Sequence, residues 1–331
     1  MAPSPLRLAA RGAPVIGVLD IGTSKIACII ARVLPPGDGG ADTPSFDILA
    51  FETIFSRGIK AGVAIDLSKA EAPITAVIAR AEEKAGVTLA SIHLSVTCGR
   101  LQSLHFTAHA DIKSGRAAKE DIARLMAGAR AYAAREGRTL LHMNELGWQL
   151  DGVPMATEPV GLPGGRVSAD VHAVTADEPP LRNHLMLAER SYVPAASLVA
   201  TPYASALAAT SEEERRAGVT LVDLGAGTMS IAQFLDGQLT GVDALPFGAG
   251  LITSDISRAL HTPLERAERI KTKYGTLVTA PSDEHEDFSY AIFGEDEFEA
   301  HRTTKAQLSA IIRPRMASLL DLTMERIAKG S

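Results

Sequence analysis

A duplicated α/β fold is what this sequence predicts, and three observations predict it. The run Asp20-Ile21-Gly22-Thr23-Ser24-Lys25 and the run Asp223-Leu224-Gly225-Ala226-Gly227-Thr228 are two copies of one motif. Each copy lies between apolar β-type runs: Val15 to Leu19 and Ile26 to Ile30 for the first, Val219 to Val222 and Met229 to Ala232 for the second. Strand-like and helix-like segments then alternate after both, and 331 residues with 46% hydrophobic content can bury two cores.

Each motif therefore reads as strand, tight turn, strand. Glycine in the turn removes the side chain, so backbone N–H groups can close on an anion while neighbouring Thr and Ser hydroxyls add donors. An aspartate before such a turn does not hold phosphate by itself. Its charge makes sense with a hydrated Mg²⁺ between carboxylate and phosphate, because Mg²⁺ keeps several waters and uses one or two carboxylates. One such hairpin is an ordinary Asp/Gly turn; the repeat in the same strand context carries the inference. The chain contains no P-loop and no G-x-G-x-x-G opening a helix.

The net charge of −6 supplies no global field toward nucleic acid or anionic lipid. Two cysteines, Cys28 and Cys98, lie in apolar strand-like runs and read as buried, reduced cytosolic thiols. The sequence holds no apolar run of transmembrane length. Residues 1–14 have no continuous apolar region and read as a disordered tail rather than a signal peptide.

Along the first half, a Pro/Gly-rich turn at Pro35 to Gly40 precedes a third strand, Phe46 to Phe55. A helix is expected from Leu67 to Ala85, with Asp66 as N-cap and Gly86 past its end. Ser91 to Cys98 alternates as a strand. From Ser91 to about Arg166 the pattern reads as an inserted small α/β module: strands at Gln102 to Ile112, Leu140 to Leu150 and Val153 to Glu158 around a helix at Lys119 to Ala134. The host half resumes with Val167 to Thr175, a helix at Leu181 to Arg190, a strand at Ala196 to Ala200 and a helix opened by Thr201-Pro202.

The second half repeats the hairpin, a third strand around Val242 to Leu245 and a helix at Leu251 to Leu260. Thr262-Pro263-Leu264-Glu265 reads as a capping box opening a helix to Tyr274. Pro281 to Glu299 holds eight acidic residues and reads as an exposed loop or acidic hairpin; a long helix follows from Thr304 to Lys329, with Pro314 expected to kink or restart it. The first half continues past its long helix with further strands and helices, whereas the second half has none, so the second half is expected to be incomplete and the chain truncated.

Two such hairpins joined by the Thr201-Pro202-Tyr203-Ala204 helix resemble the actin, heat-shock chaperone and sugar-kinase superfamily. Gly17-Val18-Leu19-Asp20-Ile21-Gly22-Thr23-Ser24-Lys25, Arg57-Gly58-Ile59-Lys60-Ala61-Gly62, Val222 to Met229, Gly250 to Ile256, Ala267-Glu268-Arg269-Ile270-Lys271 and Ile312-Arg313-Pro314-Arg315 together resemble the FtsA family of bacterial cell division. The resemblance implies an actin-like ATPase fold: two ribonuclease-H-like halves around a nucleotide cleft, with the inserted module as subdomain 1C. It places 15–90 and 167–200 in subdomain 1A, 91–166 in 1C, 201–249 and 303–331 in 2A, and 250–302 in 2B. It further implies ATP and Mg²⁺ binding, filament formation, docking of the FtsZ C-terminal tail at 2B, and later division proteins at 1C. Attachment to the cytoplasmic face of the inner membrane comes, in the family, from a C-terminal amphipathic helix that this chain is expected to lack.

Carried onto this sequence, the resemblance assigns Asp20 and Asp223 to the Mg²⁺ water shell. It gives Gly22, Thr23, Ser24, Lys25, Gly225, Gly227 and Thr228 to the phosphates, and Glu268 and Lys271 to the ribose. The last pair, one helical turn apart, equally fits a surface salt bridge. Thr201 stands where chaperones carry a water-positioning glutamate, which argues for a nucleotide-gated scaffold with at most slow ATPase activity. The alternatives are a PilM-like pilus adaptor or a sugar or acetate kinase. His105 and His109 share a strand face without a third ligand, so no metal site is expected there; Trp148 is expected at the core or rim of the inserted module.

Overall fold

A computed structural model describes residues 13–35, 45–135, 137–294 and 301–330. The tail over 1–12, most of the Pro35 to Gly40 turn and the acidic run from 295 to 299 lie outside the described residues. The chain forms two compact units, residues 1–223 with 230–245, and 224–229 with 246–331.

The first unit opens with β1 (Val15–Ile21), β2 (Lys25–Leu34) and β3 (Ser45–Phe55), then the short hairpin β4 (Ile59–Lys60) and β5 (Val63–Ala64), helix α1 (Leu67–Ala85) and β6 (Ile92–Val96). Asp66 caps α1 by accepting the Lys69 N–H, and Gly86 ends it at φ 66°. Within the expected inserted module lie β7 (Gln102–Asp111), α2 (Lys119–Ala133), β8 (Arg138–Leu150) and β9 (Val153–Met155); β10 (Arg166–Asp177), where the host half was expected to resume, pairs with both β7 and β8. Next come α3 (Glu178–Arg190), β11 (Ala195–Ala200), α4 (Thr201–Ala209), α5 (Glu212–Ala217), β12 (Val219–Leu224), β13 (Met229–Leu235) and β14 (Gln238–Leu245).

One sheet has the order β11-β6-β1-β2-β3, with β1 parallel to β6 and antiparallel to β2. Alternation along β1 and β2 sends Leu19, Ile26, Cys28 and Ile30 to a single face, where α1 buries them with Ile74, Val77 and Ile78. The second sheet runs β12-β13-β14-β7-β10-β8-β9, so the strands of the second hairpin extend the sheet of the inserted module. The junction has one backbone bridge, Asp243 to Gln102. Side chains complete it: Ser103 Oγ accepts the Val242 N–H at 2.7 Å, and Asn144 Nδ2 donates to the Leu239 carbonyl at 3.2 Å. Trp148 packs at the rim of the module's core, and both cysteines are free and buried.

The second unit contains α6 (Gly250–Ala259), α7 (Leu264–Tyr274), a 3₁₀ turn at Pro281–Glu284, β15 (Asp287–Tyr290), β16 (His301–Thr304) and α8 (Lys305–Gly330). Helix α6 packs on α7 and α8, and Arg315 ties α8 to α6 through two bonds to the Asp255 carboxylate, at 2.6 and 3.2 Å.

One local expectation fails, and of the kink or restart expected at Pro314 the restart does not occur. Thr262 does not cap α7: its fully buried hydroxyl donates to the Ala291 carbonyl at 2.7 Å, and the helix begins at Leu264 with no side-chain cap. A buried carbonyl needs that donor more than a helix end near solvent does. Pro314 does not restart α8, which is one helix throughout; buried Leu308, Ile312 and Leu319 hold the turns on both sides of the missing N–H. Of the acidic stretch, read as an exposed loop or an acidic hairpin, Asp287–Tyr290 forms an antiparallel hairpin with His301–Thr304. Asp283 accepts the Ala280 N–H, Asp287 pairs with Arg302, and Glu286 pairs with Lys305.

Candidate functional site

Asp20 stands near the end of β1, opposite Ala27 of β2 and alongside Ser95 of β6. In the parallel pair β1 and β6, this is the carboxyl end of the strands, where open α/β sheets place ligand-binding groups. The turn after it is closed by the Gly22 N–H donating to the Lys25 carbonyl at 3.1 Å. A Cβ on Gly22 would lie 2.7 Å from that oxygen, so the turn requires glycine here. Thr23 Oγ1 accepts the Gly62 N–H at 3.0 Å, and the Ser24 carbonyl accepts the Ser56 N–H at 2.9 Å. The turn is thus anchored to the segment around β4 and β5. Lys25 is exposed at the first position of β2.

Asp223 in β12 accepts a hydrogen bond from Ser205 Oγ of α4 at 3.0 Å. Thr201, at the start of the same helix, is 2.6 Å from Ser95 through their hydroxyls. The two aspartates feel each other. Burial raises the pKa of Asp20, a hydrogen bond with Ser95 lowers it, the Asp223 charge raises it and the Lys25 charge lowers it; the balance lies above the ordinary carboxylate value. Two carboxylates, three hydroxyls and one lysine therefore gather in the first unit. The crowded negative charge is what a divalent cation relieves, and the donor set is all oxygen, as Mg²⁺ prefers. The Ser56 hydroxyl is buried without a hydrogen-bond partner.

In the second unit, the Gly225 N–H donates to the Thr228 carbonyl at 3.0 Å, which closes the second turn as Gly22 closes the first. The Ala249 and Gly250 N–H groups donate to the Gly225 and Ala226 carbonyls at 2.9 and 2.7 Å. This contact seats the Gly225, Gly227 and Thr228 turn against the start of α6. A Cβ on Gly248 would lie 2.2 Å from the Gly225 oxygen, so only glycine allows the approach.

Glu268 and Lys271 on α7 do form the salt bridge their spacing allows, at 2.7 Å. Thr253 of α6 joins them: its hydroxyl donates to Glu268 at 2.5 Å and accepts from Lys271 Nζ at 2.9 Å. Burial acts to raise the Glu268 pKa, but hydrogen bonds from Lys271 and Thr253 and the Lys271 charge outweigh it and leave it lowered.

Ser95, Ser205, Thr253 and Gly248 were not among the sequence-derived candidates. Ser205 could have been found, since it lies one helical turn beyond Thr201. Ser95 and Thr253 carry no local signal and are identified only by which strand or helix packs beside them. Among the described residues no cluster of three or more His, Cys, Asp or Glu side chains can hold a metal, and His105 instead stacks on His172 at 4.8 Å. No helix of the described residues is long and apolar enough to cross a membrane.

Comparison with known proteins agrees with this fold. The profile of the family described as "Cell division protein FtsA" matches residues 220–329, and that of the "SHS2 domain inserted in FTSA" matches residues 98–175. The cell division protein FtsA of Rhizobium meliloti is 33% identical over 320 residues, covering 96% of this chain and 72% of that protein. Its Escherichia coli K12 counterpart is 29% identical over 310 residues, covering 93% and 71%. Among solved structures, a PilM-PilN type IV pilus biogenesis complex superposes with a TM-score of 0.59 at 16% identity, over 94% of this chain and 77% of that one. MreB5 of Spiroplasma citri bound to ADP gives 0.51 at 12% identity, over 94% and 78%. These likenesses establish an actin-like ATPase fold carrying an inserted SHS2 domain, and with the FtsA relatives they show that this chain belongs to the FtsA family of cell division proteins.

Proposed function

We propose that this chain is a nucleotide-binding, actin-like scaffold of bacterial division, in which Asp20 and Asp223 serve one Mg²⁺-nucleotide. The supporting observation is the gathering of these two carboxylates with Ser95, Thr201 and Ser205, where burial first, and the Asp223 charge after it, raises the pKa of Asp20. When bound, Mg²⁺ would offset the negative charge of carboxylates and phosphates together. Asp20 and Asp223 would orient its water shell, with Ser205 fixing the Asp223 carboxylate. The turns at Gly22, Thr23 and Ser24 and at Gly225, Gly227 and Thr228 would offer backbone N–H groups and hydroxyls to phosphate, with Lys25 adding a charge. Glu268 and Lys271 would reach the ribose.

Thr201 supports slow rather than efficient hydrolysis. Its hydroxyl is engaged by Ser95, so it is poorly placed to orient an attacking water as a carboxylate would. In this reading the nucleotide gates assembly: the protein polymerises, binds the FtsZ C-terminal tail through 250–302 as subdomain 2B, and meets later division proteins through 91–166 as subdomain 1C. Membrane attachment at the division site belongs to the same reading.

Calorimetric titration of the protein with ATP, with and without Mg²⁺, tests the site. Saturable Mg²⁺-dependent binding, weakened about 10–100-fold in Asp20→Asn and in Asp223→Asn, is expected; equal affinity in wild type and both variants would sink the assignment. For the partner, anisotropy of a labelled FtsZ tail peptide against a scrambled peptide should show saturable binding.

A further inference from the structure

The turn that follows Asp20 is held by the β4–β5 hairpin, and the tip of that hairpin is strained. Strands β4 and β5 pair Ile59 with Ala64 and Lys60 with Val63, which leaves the two-residue turn Ala61-Gly62. Both residues have positive φ, 48° and 73°, as in the type I′ turns that favour Asn and Gly. Gly62 suits that conformation, whereas the Ala61 methyl group resists it. The Gly62 N–H belongs to the central peptide of the turn, whose orientation separates one turn type from another. It donates to Thr23 Oγ1 at 3.0 Å.

The base of the hairpin is fixed independently of its tip. The Gly58 carbonyl accepts the Ile65 and Asp66 N–H groups at 2.8 and 3.1 Å, Asp66 caps α1, and Asn183 of α3 donates to the Ala64 carbonyl at 3.3 Å. Thr23 spends a lone pair of its hydroxyl oxygen on Gly62. The hydroxyl proton is left over and meets no acceptor among the described residues. A hydroxyl that accepts from Gly62 can donate to a phosphate oxygen at the same time, and each bond then polarises the other.

We infer, resting on the nucleotide reading of this site, that Gly62 is a positioning residue of the first phosphate turn and that the Ala61-Gly62 tip responds to what the turn holds. The Gly62 N–H fixes the Thr23 hydroxyl as a donor toward phosphate. Phosphate on that hydroxyl strengthens the bond between Thr23 and Gly62 and holds the tip in its left-handed form. Coupling of this kind is reciprocal. A change that eases the left-handed conformation of Ala61 therefore tightens phosphate binding, and a change that opposes it weakens binding. Ala61 touches no ligand in this scheme; its side chain acts through the turn alone. The bond from the Ser56 N–H to the Ser24 carbonyl, at 2.9 Å, keeps the rest of the contact in place while the tip changes.

Calorimetric ATP affinity and amide hydrogen exchange over residues 56–66, measured on wild type, Ala61→Gly and Ala61→Val, test this. Mg²⁺-ATP should slow exchange over 56–66 in wild type. Ala61→Gly, relieved of the steric cost at φ 48°, should bind ATP about threefold more tightly. Ala61→Val, which puts a β-branched side chain at positive φ, should bind about tenfold more weakly. A hairpin with a purely structural role predicts another pattern, in which melting temperature varies across the series and ATP affinity does not. One common Kd for the three proteins, or exchange over 56–66 that ATP leaves unchanged, overturns the inference while the nucleotide reading stands. Ala61→Gly and the exchange measurement decide the matter even where Ala61→Val unfolds. Folded wild type that binds no ATP removes the nucleotide reading, and this inference with it.

Discussion

Asp20 and Asp223, contributed by two hairpins from opposite halves of the sequence, sit close enough that the charge of Asp223 adds to the larger effect of burial in raising the pKa of Asp20. The folded protein therefore holds a proton on Asp20 more tightly than the unfolded chain does. The sign follows directly. A carboxyl whose folded pKa is raised costs stability above that pKa, and the cost disappears as pH falls through it toward the ordinary value of 3.8. Asp20→Asn should consequently raise the melting temperature at neutral pH while weakening Mg²⁺-dependent nucleotide binding about 10–100-fold. In wild type, binding should weaken as pH falls, beginning at a higher pH than an ordinary carboxylate would dictate. Calorimetric titrations across pH and a melting curve for the variant check both; a variant that melts lower than wild type at pH 7 contradicts a destabilising buried charge on Asp20.

The second turn depends on close backbone approach at Gly248. Gly248→Ala places a methyl group against the Gly225 carbonyl, at 2.2 Å before relaxation, and neither backbone can yield without disturbing the bonds of Ala249 and Gly250 to the same turn. The expected loss is about 1–3 kcal/mol, with nucleotide binding reduced well beyond what that stability change explains. Denaturant melts and nucleotide titration of the same preparation separate the two effects. Unchanged affinity would mean that this turn does not touch the ligand.

Thr262 offers a test of where its hydroxyl acts. Removing the hydroxyl in Thr262→Val keeps the volume but leaves the Ala291 carbonyl without its donor in a fully buried setting. The cost should be about 1–3 kcal/mol, read by urea unfolding. Little change in unfolding would mean that the Ala291 carbonyl does not depend on the Thr262 hydroxyl.

Much of this was legible because it is local. The two Asp-x-Gly turns, the Asp66 cap and Gly86 stop of α1, and helix α2 with its buried Ile122, Leu125 and Ala129 are set by residues within a few positions of one another, and the structure places them as the patterns indicate. What failed depends on packing partners distant in sequence. Thr262 looked like a cap until Ala291 was beside it. Phe46 and Phe55 differ in parity, so alternation alone assigns them to opposite faces; only the bulge that skips Leu49 in the pairing of β3 with β2 brings them together. The hydroxyls of Ser95 and Ser205 join the aspartates through strand order and helix docking, which no motif encodes.

The Thr253, Glu268 and Lys271 cluster leads to the most discriminating experiment, because its stabilising and binding roles predict different things. The Glu268 pKa is lowered: burial alone would raise it, but the bonds from Lys271 and Thr253 prevail. Its contribution to stability is therefore present above the ordinary value of 4.5 and is lost as pH falls toward the lowered one. Glu268 is about half exposed, so Glu268→Gln should cost under about 1 kcal/mol at neutral pH. If Glu268 also meets the ribose, the same variant should bind ATP roughly tenfold more weakly. The penalty should shrink for a deoxyribose nucleotide that lacks the contacted hydroxyl. A purely structural pair would leave affinities for ATP and for 2′- and 3′-deoxy-ATP changed by one common factor. Titrating wild type and variant with all three nucleotides decides between a ribose contact and a helix salt bridge.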